Sequence, residues 1–235
     1  MVSVCIATYN GEKYIYQQVY SILKQLNLND EIIISDDGST DNTIEILRDI
    51  NDDRIRIMHN KLEKGYTKNF ENAIRNAKGK FIFLCDQDDV WFDNKVAVSL
   101  KALETSDFVV SDALFVNQEL ESLDYTFFGI RGGRKGFFVN LLKSQYLGAC
   151  MAFNNKLLKK LLPFPEKSAL CPHDLWISLI AELYFKSAVI KKPLISYRRH
   201  GHNVSTGGHI SQNSIFEKLK FRTYCLYHVL LRCFD

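Results

Sequence analysis

Phe81-Ile82-Phe83-Leu84-Cys85-Asp86-Gln87-Asp88-Asp89 is an apolar run of strand length that stops on three carboxylates within four positions. Acids gathered at the end of a buried strand repel one another. One of them is driven toward protonation unless a cation sits among them. Hard divalent cations such as Mg²⁺ and Mn²⁺ take oxygen ligands, commonly one or two carboxylates completed by substrate phosphates. The cluster therefore predicts a metal–diphosphate site at the C-terminal edge of a strand. A solvated acidic turn that caps the next helix is the plain alternative for an Asp-x-Asp taken alone.

Upstream, the chain alternates between two periodicities. Val2–Ala7 and Glu31–Ser35 are further apolar strands, and Arg54–Met58 alternates like one. Between them, 12–26 carries Ile15, Val19, Ile22, Leu23 and Leu26 on one helical face, with Asn10 as a candidate cap. Residues 41–50 and 67–77 also have helical spacing, and Gly79 breaks the chain before the strand at 81–85. The order β-α-β-α-β-α-β implies a mostly parallel sheet with right-handed crossovers, whose ligands bind outside the carboxyl ends of the strands. Three chemistry-bearing blocks fall at those ends: Thr8-Tyr9-Asn10-Gly11, Asp36-Asp37-Gly38-Ser39-Thr40-Asp41 and Asp86–Asp89.

These blocks, in this order, resemble the family-2 inverting glycosyltransferases of the GT-A fold. Phe83–Trp91 is most similar to the bacterial rhamnosyltransferases and related enzymes of surface-polysaccharide assembly. The likeness covers residues 2–205. It implies an α/β fold of GT-A type: a mostly parallel nucleotide-binding sheet flanked by helices, with a smaller acceptor-side C-terminal half. The expected division is a single catalytic domain over 1–205, nucleotide-sugar binding in 1–112 and acceptor binding in 113–205, followed by a helical tail over 206–235.

Composition fits one sizeable globular domain. The chain has 235 residues, 46% hydrophobic and 24% charged. A net charge of +3 gives no electrostatic argument for nucleic acid. Six cysteines form no CxxC pair, and Cys5 and Cys85 sit in buried-strand candidates, which favours a reducing compartment. No run approaches the ~20 apolar residues of a spanning helix, and no signal-like segment opens the chain. The expected location is the cytoplasm. A peripheral contact with the inner face of the membrane is left open through 214–234, which is amphipathic and basic; a plain packing helix is the other reading.

The resemblance assigns roles residue by residue. Ala7, Thr8 and Tyr9 border the base, Asp37 bonds it, and Glu12 lies near the nucleotide. Lys68 faces phosphate or solvent. Asp86 contacts ribose or metal-bound water, Asp88 is the direct metal ligand, and Asp89 orients the loop or a substrate hydroxyl. Asp174, in Pro172-His173-Asp174-Leu175-Trp176, is the general base that deprotonates the acceptor; its rival role is to complement the helix dipole. Arg198-Arg199-His200-Gly201-His202-Asn203 resembles a basic loop that closes over the diphosphate, with Arg199 on phosphate and His200 in the metal shell. Asp36 and Asp41 read as helix caps, Trp91 as packing or sugar-stacking, and Trp176 as sugar-stacking or core. His173, His202 and His209 have weaker claims.

The implied reaction is metal-dependent inverting transfer, with Mn²⁺ or Mg²⁺, from dTDP-rhamnose or a UDP-hexose to a glycan or lipid-linked oligosaccharide. Two rivals are a sugar-1-phosphate nucleotidyltransferase and a non-catalytic carbohydrate- or nucleotide-binding subunit. The first normally has a glycine-rich loop after strand one, where this chain has Ala7-Thr8-Tyr9-Asn10-Gly11.

Overall fold

The computed structural model of the protein describes residues 1–201 and 214–233. The expected boundary at 205/206, with His202, Asn203 and His209, lies outside them. Nine described strands form one mixed sheet. Its first half is β1 (Val2–Thr8), β2 (Glu31–Asp36), β3 (Ile55–His59) and β4 (Phe81–Asp86), paired in parallel in the order β3-β2-β1-β4. The core positions of β1, β2 and β4 are almost wholly apolar and fully buried, as a strand covered on both faces requires.

Helices α1 (Ile15–Leu23), α2 (Thr43–Asp49) and α3 (Tyr66–Arg75) are the crossovers. The chain runs from β1 outward to β3 and then returns across to β4. Right-handed connections therefore put α1 and α2 on one face and α3 on the other. The point of reversal lies between β1 and β4, where such sheets open a crevice at their carboxyl ends. Ala7 pairs with Asp86 across that boundary, and Thr8 with Asp36 on the other side.

The second half completes the sheet with β5 (Val90–Trp91), β6 (Phe108–Val116), β7 (Ser122–Thr126), β8 (Met151–Asn154) and β9 (Ser187–Arg198). β8 is antiparallel to both β4 and β6, and β9 runs parallel to β6 and antiparallel to β5. Helices α4 (Lys95–Leu103), α5 (Phe127–Arg131), α6 (Phe137–Leu142), α7 (Leu158–Leu161), α8 (His173–Tyr184) and α9 (Ile215–Leu231) surround it. α8 packs on α3 and α6, which brings its N-terminus over the crevice.

From sequence alone the second half reads as a mobile loop over 129–134, a strand over 146–153 and two short strands, 188–190 and 194–197; the structure corrects each. Lys191-Lys192-Pro193 suggested a break between two short strands, but β9 is continuous, and the register slips between Ser111 and Asp112 so that Pro193 falls in the irregularity. A bulge tolerates a residue with no amide donor. The expected mobile loop over 129–134 begins as α5, capped by Thr126, whose Oγ1 accepts from the Gly129 amide, and stopped by Gly132 at φ +96°. Over 146–153 only Met151 onward is strand; Gly148–Cys150 is a 3₁₀ turn. Asn10 does not cap α1. It takes φ +48°, and its side-chain oxygen accepts from the Thr40 amide at 2.8 Å.

At the opposite edge of the sheet, Glu31 joins three segments. Its carboxylate accepts from Ser3 Oγ at 2.6 Å, from the Lys78 amide at 2.7 Å and from Arg56 at 2.5 Å. Burial opposes its ionisation, but these donors prevail and hold the carboxyl below its usual range. A depressed carboxyl pKa contributes stability that is present above the unfolded value of ~4.3 and lost as pH falls through the folded one. Glu31→Gln should therefore cost about 1–3 kcal/mol in urea unfolding near pH ~7, with the difference from the parent shrinking below about pH 4. A difference that does not change with pH would contradict this account.

Candidate active site

Three walls meet at the crevice. The first is built by the loops after β1 and β2. Asp36 is buried, and its carboxylate accepts from Thr8 Oγ1 at 2.9 Å, Ser39 Oγ at 2.5 Å and the Gly38 and Ser39 amides at 3.0 and 2.8 Å. It organises the turn rather than capping α2. Asp41 closes the turn that leads into α2 without being its cap residue: Oδ1 accepts from the Thr43 amide and Oδ2 from the Glu12 amide. Glu12 answers by accepting from the Asn42 amide and side chain at 3.0 and 2.8 Å. The Glu12 carboxylate thus clasps the two loops together and is turned toward α2.

Asp37 stands half-buried at the rim. Its amide donates to Thr8 O at 2.9 Å, and its carboxylate accepts from Asn60 Nδ2 at 2.8 Å and the Gly65 amide at 2.7 Å. Tyr9 is exposed beside it, fixed by a two-way pairing with Gln87: Tyr9 N donates to Oε1 at 2.9 Å, and Nε2 donates to Tyr9 O at 3.0 Å. A Cβ on Gly11 would lie 2.5 Å from Gln87 Oε1, so a larger residue there would push the Gln87 amide aside. At the carboxyl end of β1, Ala7 is half-buried, Thr8 buried and Tyr9 exposed. Lys68 does not reach it: its ammonium is drawn to buried Glu71 at 2.8 Å and to Phe164 O at 3.2 Å. The phosphate role expected for Lys68 gives way to this ion pair.

The second wall is the acidic loop. Asp88 Oδ2 lies 2.7 Å from His200 Nε2, which brings together the two residues expected as metal ligands. The His200 ring stacks on Tyr14 at 5.0 Å between centroids, and the Arg198 guanidinium sits over the same tyrosine at 4.6 Å. Arg198 is buried; its amide donates to Asp89 Oδ1 and its Nε to Asp88 O. Arg198 therefore ties the loop to the end of β9. Arg199 follows half-buried, its amide on Val116 O. Asp89 is buried and, among the described residues, its Oδ2 has no partner. It orients the loop, with buried Lys95 as the cation beneath it. Lys95 Nζ donates to Ala149 O and lies over the Trp91 ring. Trp91 itself packs on Phe83 in the core.

The third wall is the start of α8. Asp174 lies in its first turn and accepts from the Leu175 amide at 2.7 Å, so the helix-terminus role is realised. Its charge also acts, after burial, on the Asp86, Tyr66 and Arg131 groups. Burial, then the Asp88 charge, then the Asp174 charge push the Asp86 carboxyl up to about 7. Asp89 is raised in the same way, burial first. His173 is buried between Phe70 and Tyr66, and burial holds its imidazole below the usual value. Trp176 is core, its Nε1 donating to Leu161 O.

Sequence reasoning missed Gln87, Tyr14, Lys95 and the clamping role of Arg198. Gln87 was legible only as the variable position of Asp-x-Asp. Lys95 carried one signal, a charge inside an apolar helix pattern. Among the described residues no three His, Cys, Asp or Glu side chains converge as a metal cage. The contact present is one carboxylate and one imidazole, Asp88 with His200. That fits a hard cation whose remaining ligands are water and phosphate.

A mixed sheet whose parallel half reverses direction beside the acids at the end of β4 defines an α/β protein of GT-A type. The chain belongs to glycosyl transferase family 2, whose model matches residues 3–162. Over 105 residues it is 41% identical to the Escherichia coli UDP-Glc:alpha-D-GlcNAc-diphosphoundecaprenol beta-1,3-glucosyltransferase WfaP, a match spanning 45% of this chain and 42% of that enzyme. Among solved structures, S. aureus TarS 1-349 in complex with UDP-GlcNAc superposes with a TM-score of 0.71 at 20% identity, over 99% of this chain and 72% of that one. Glucosyl-3-phosphoglycerate synthase from Mycobacterium tuberculosis, in complex with Mn²⁺, UDP and glucosyl-3-phosphoglycerate, superposes with a TM-score of 0.61 at 16% identity, over 99% and 80%. These structural likenesses establish the fold. The family match removes the nucleotidyltransferase alternative.

The elevated Asp86 carboxyl has a testable sign. Its folded value lies above the unfolded ~3.9, so the folded state holds the extra proton, and stability falls as pH rises between the two. In metal-free protein Asp86→Asn should raise stability by on the order of 1–3 kcal/mol near pH ~8 and by little near pH ~4. Equal effects at both pH values in thermal unfolding with chelator would show that the carboxylates do not crowd.

Proposed function

We propose that the chain transfers a sugar from a nucleoside-diphosphate sugar to a hydroxyl of a growing bacterial surface glycan, with inversion at the anomeric carbon. The observation that carries this reading is the reversal of the sheet between β1 and β4, where Ala7 pairs with Asp86 and Asp88 meets His200, with α8, whose first turn holds Asp174, packed on α3 beside it. Asp86 and Asp88 belong to the strand edge where diphosphates bind, and Asp174 comes from the other half of the chain. Reacting groups of two substrates would thus be held on facing walls.

In this reading Tyr9 and Asp37 hold the base, Ala7 and Thr8 wall it, and Asp86 meets the ribose side. Asp88 and His200 hold Mn²⁺ or Mg²⁺, which supplies positive charge to the departing diphosphate. Arg199 approaches the same phosphates, and Arg198 fixes the loop that carries Asp88. Asp174 accepts the acceptor hydroxyl's proton as the new oxygen–carbon bond forms and the carbon–phosphate-oxygen bond breaks. One displacement then yields the inverted glycoside and the free nucleoside diphosphate.

Two findings support a UDP-hexose over dTDP-rhamnose as donor: the glucosyl donor in the name of the E. coli relative, and the UDP-GlcNAc held by the TarS fold. The same relative acts on a diphosphoundecaprenol-linked sugar, which supports a lipid-linked acceptor. The cytoplasmic face of a membrane, where such donors and acceptors would meet, is the corresponding location.

Asp174→Asn should lower the transfer rate by roughly 10²–10⁴-fold, the range for loss of a general base, while UDP binding measured by calorimetry is retained. A variant whose rate stays within about tenfold of the parent would show that Asp174 only serves the helix terminus. The matching assay is slow donor hydrolysis across a panel of sugar nucleotides. UDP-glucose or UDP-GlcNAc should lead, and a dTDP-rhamnose optimum would reverse the donor assignment.

A further inference from the structure

His173 opens α8, one residue before Asp174. Its amide donates to Thr67 Oγ1, in the first turn of α3, at 3.3 Å. The ring stacks on Phe70 at 4.3 Å between centroids and meets Tyr66 edge-on at 5.7 Å. On another side Nε2 crowds Gly148, where an added Cβ would lie 2.5 Å from it. Gly148 opens the 3₁₀ turn that leads into β8. β8 runs antiparallel to β4 with Ala152 opposite Phe83, so the turn before it lies beside the last residues of β4. Asn69, also on α3, donates to Thr8 O at the end of β1 at 3.1 Å. The imidazole is thus held at the carboxyl edge of β1 and β4, where the sheet reverses.

His173 is only 6% exposed, and among the described residues neither ring nitrogen has a hydrogen-bond partner. Burial holds its pKa below the usual value, so near pH ~7 the ring is neutral. One nitrogen then carries a proton to donate and the other a lone pair to accept. A buried donor or acceptor left unmade costs free energy that an apolar side chain in the same place would not. The surrounding protein does not relieve that cost: Phe70 and Tyr66 offer rings, and Gly148 offers no side chain. A buried polar group that the fold positions and leaves unpaired calls for a partner from outside the chain.

We infer that His173 is a specificity-determining residue whose ring hydrogen-bonds a hydroxyl of the transferred sugar. The inference rests on the transferase reading above. Under that reading the acids at the end of β4 meet the diphosphate side of the donor, and the sugar joined to that diphosphate comes to the same edge, against the first turn of α8. A hydroxyl both donates and accepts, so it can pair with either ring nitrogen. Phe70 and Tyr66 already fix the ring, so little ordering is needed when the sugar arrives. Selection follows from the same burial. A sugar that lacks the hydroxyl leaves the imidazole unpaired, and a site built to bond a hydroxyl rejects such an analogue far more strongly than an apolar pocket rejects a missing methylene. His173 takes no proton in the reaction; that role stays with Asp174.

Donor hydrolysis with Mn²⁺ and no acceptor tests this, with UDP affinity by calorimetry as the control. His173→Leu should lower kcat/KM for UDP-glucose, or for UDP-GlcNAc if that donor leads, by about tenfold or more. Its UDP affinity should stay within about twofold of the parent's, because UDP carries no sugar. Analogues of the same donor, each lacking one hydroxyl, give the finer readout. In the parent, loss of one particular hydroxyl should cost about tenfold or more, and in His173→Leu the same loss should cost less than about twofold. The inference is overturned by a leucine variant as active as the parent, by one that discriminates among the analogues as the parent does, or by a parent that hydrolyses every analogue equally. A leucine variant that loses UDP affinity along with rate shows the ring to be structural and overturns it too. A parent that hydrolyses no sugar nucleotide is a different failure: it sinks the transferase reading, and this inference with it.

Discussion

Mutual repulsion among the carboxylates at the end of β4 is the constraint around which the rest of the site is arranged. Asp86, Asp88 and Asp89 leave a buried strand together, and Asp174 approaches from another element. The protein offsets part of this charge itself. Lys95 lies beneath Asp89, Arg198 clamps the loop backbone, and His200 meets Asp88. What it leaves uncompensated is Asp86, whose carboxyl is lifted to about 7 mainly by burial and then by its acidic neighbours. Under the proposed function, a cation bound among these acids would relieve that charge.

Around that cluster most of the polar loop residues act on geometry. Asp36, Asp41 and Glu12 fasten the loops after β1 and β2 to one another, and Gln87 fastens the β1 loop to the acidic loop. These clasps are short-range and hydrogen-bonded through backbone amides, so they hold without cost in the crowded charge. They leave Tyr9 exposed and Asp37 half-buried at the rim.

The first half of the fold was legible because its strands are continuous apolar runs and its helices carry clean stripes. Boundaries at β1, β2, β4 and α3 fall within a residue or two of the expected ones. The second half misled where backbone irregularity masked continuity. Pro193 looked like a strand break and is instead absorbed by a register slip, and the glycines after Phe128 looked like a flexible loop although Gly132 ends a helix. Among site residues, the acids at strand ends were readable because position and chemistry coincide. Lys68 was not: its partner Glu71 lies one turn along α3, but Phe164 is nearly a hundred residues away, and only the packed structure shows which way the ammonium turns. Arg198 and Arg199 are adjacent in sequence, and nothing in the pair marks the first as the clamp.

If the crowded acids define the site, nucleotide and cation must bind with strong mutual dependence. Calorimetric titration of UDP into the protein with Mn²⁺, and again with chelator, measures that coupling. The account predicts at least about tenfold tighter UDP binding when Mn²⁺ is present, a coupling of roughly 1.4 kcal/mol or more. Equal affinity in the two titrations would contradict it and leave the carboxylates at the end of β4 as a solvated acidic turn.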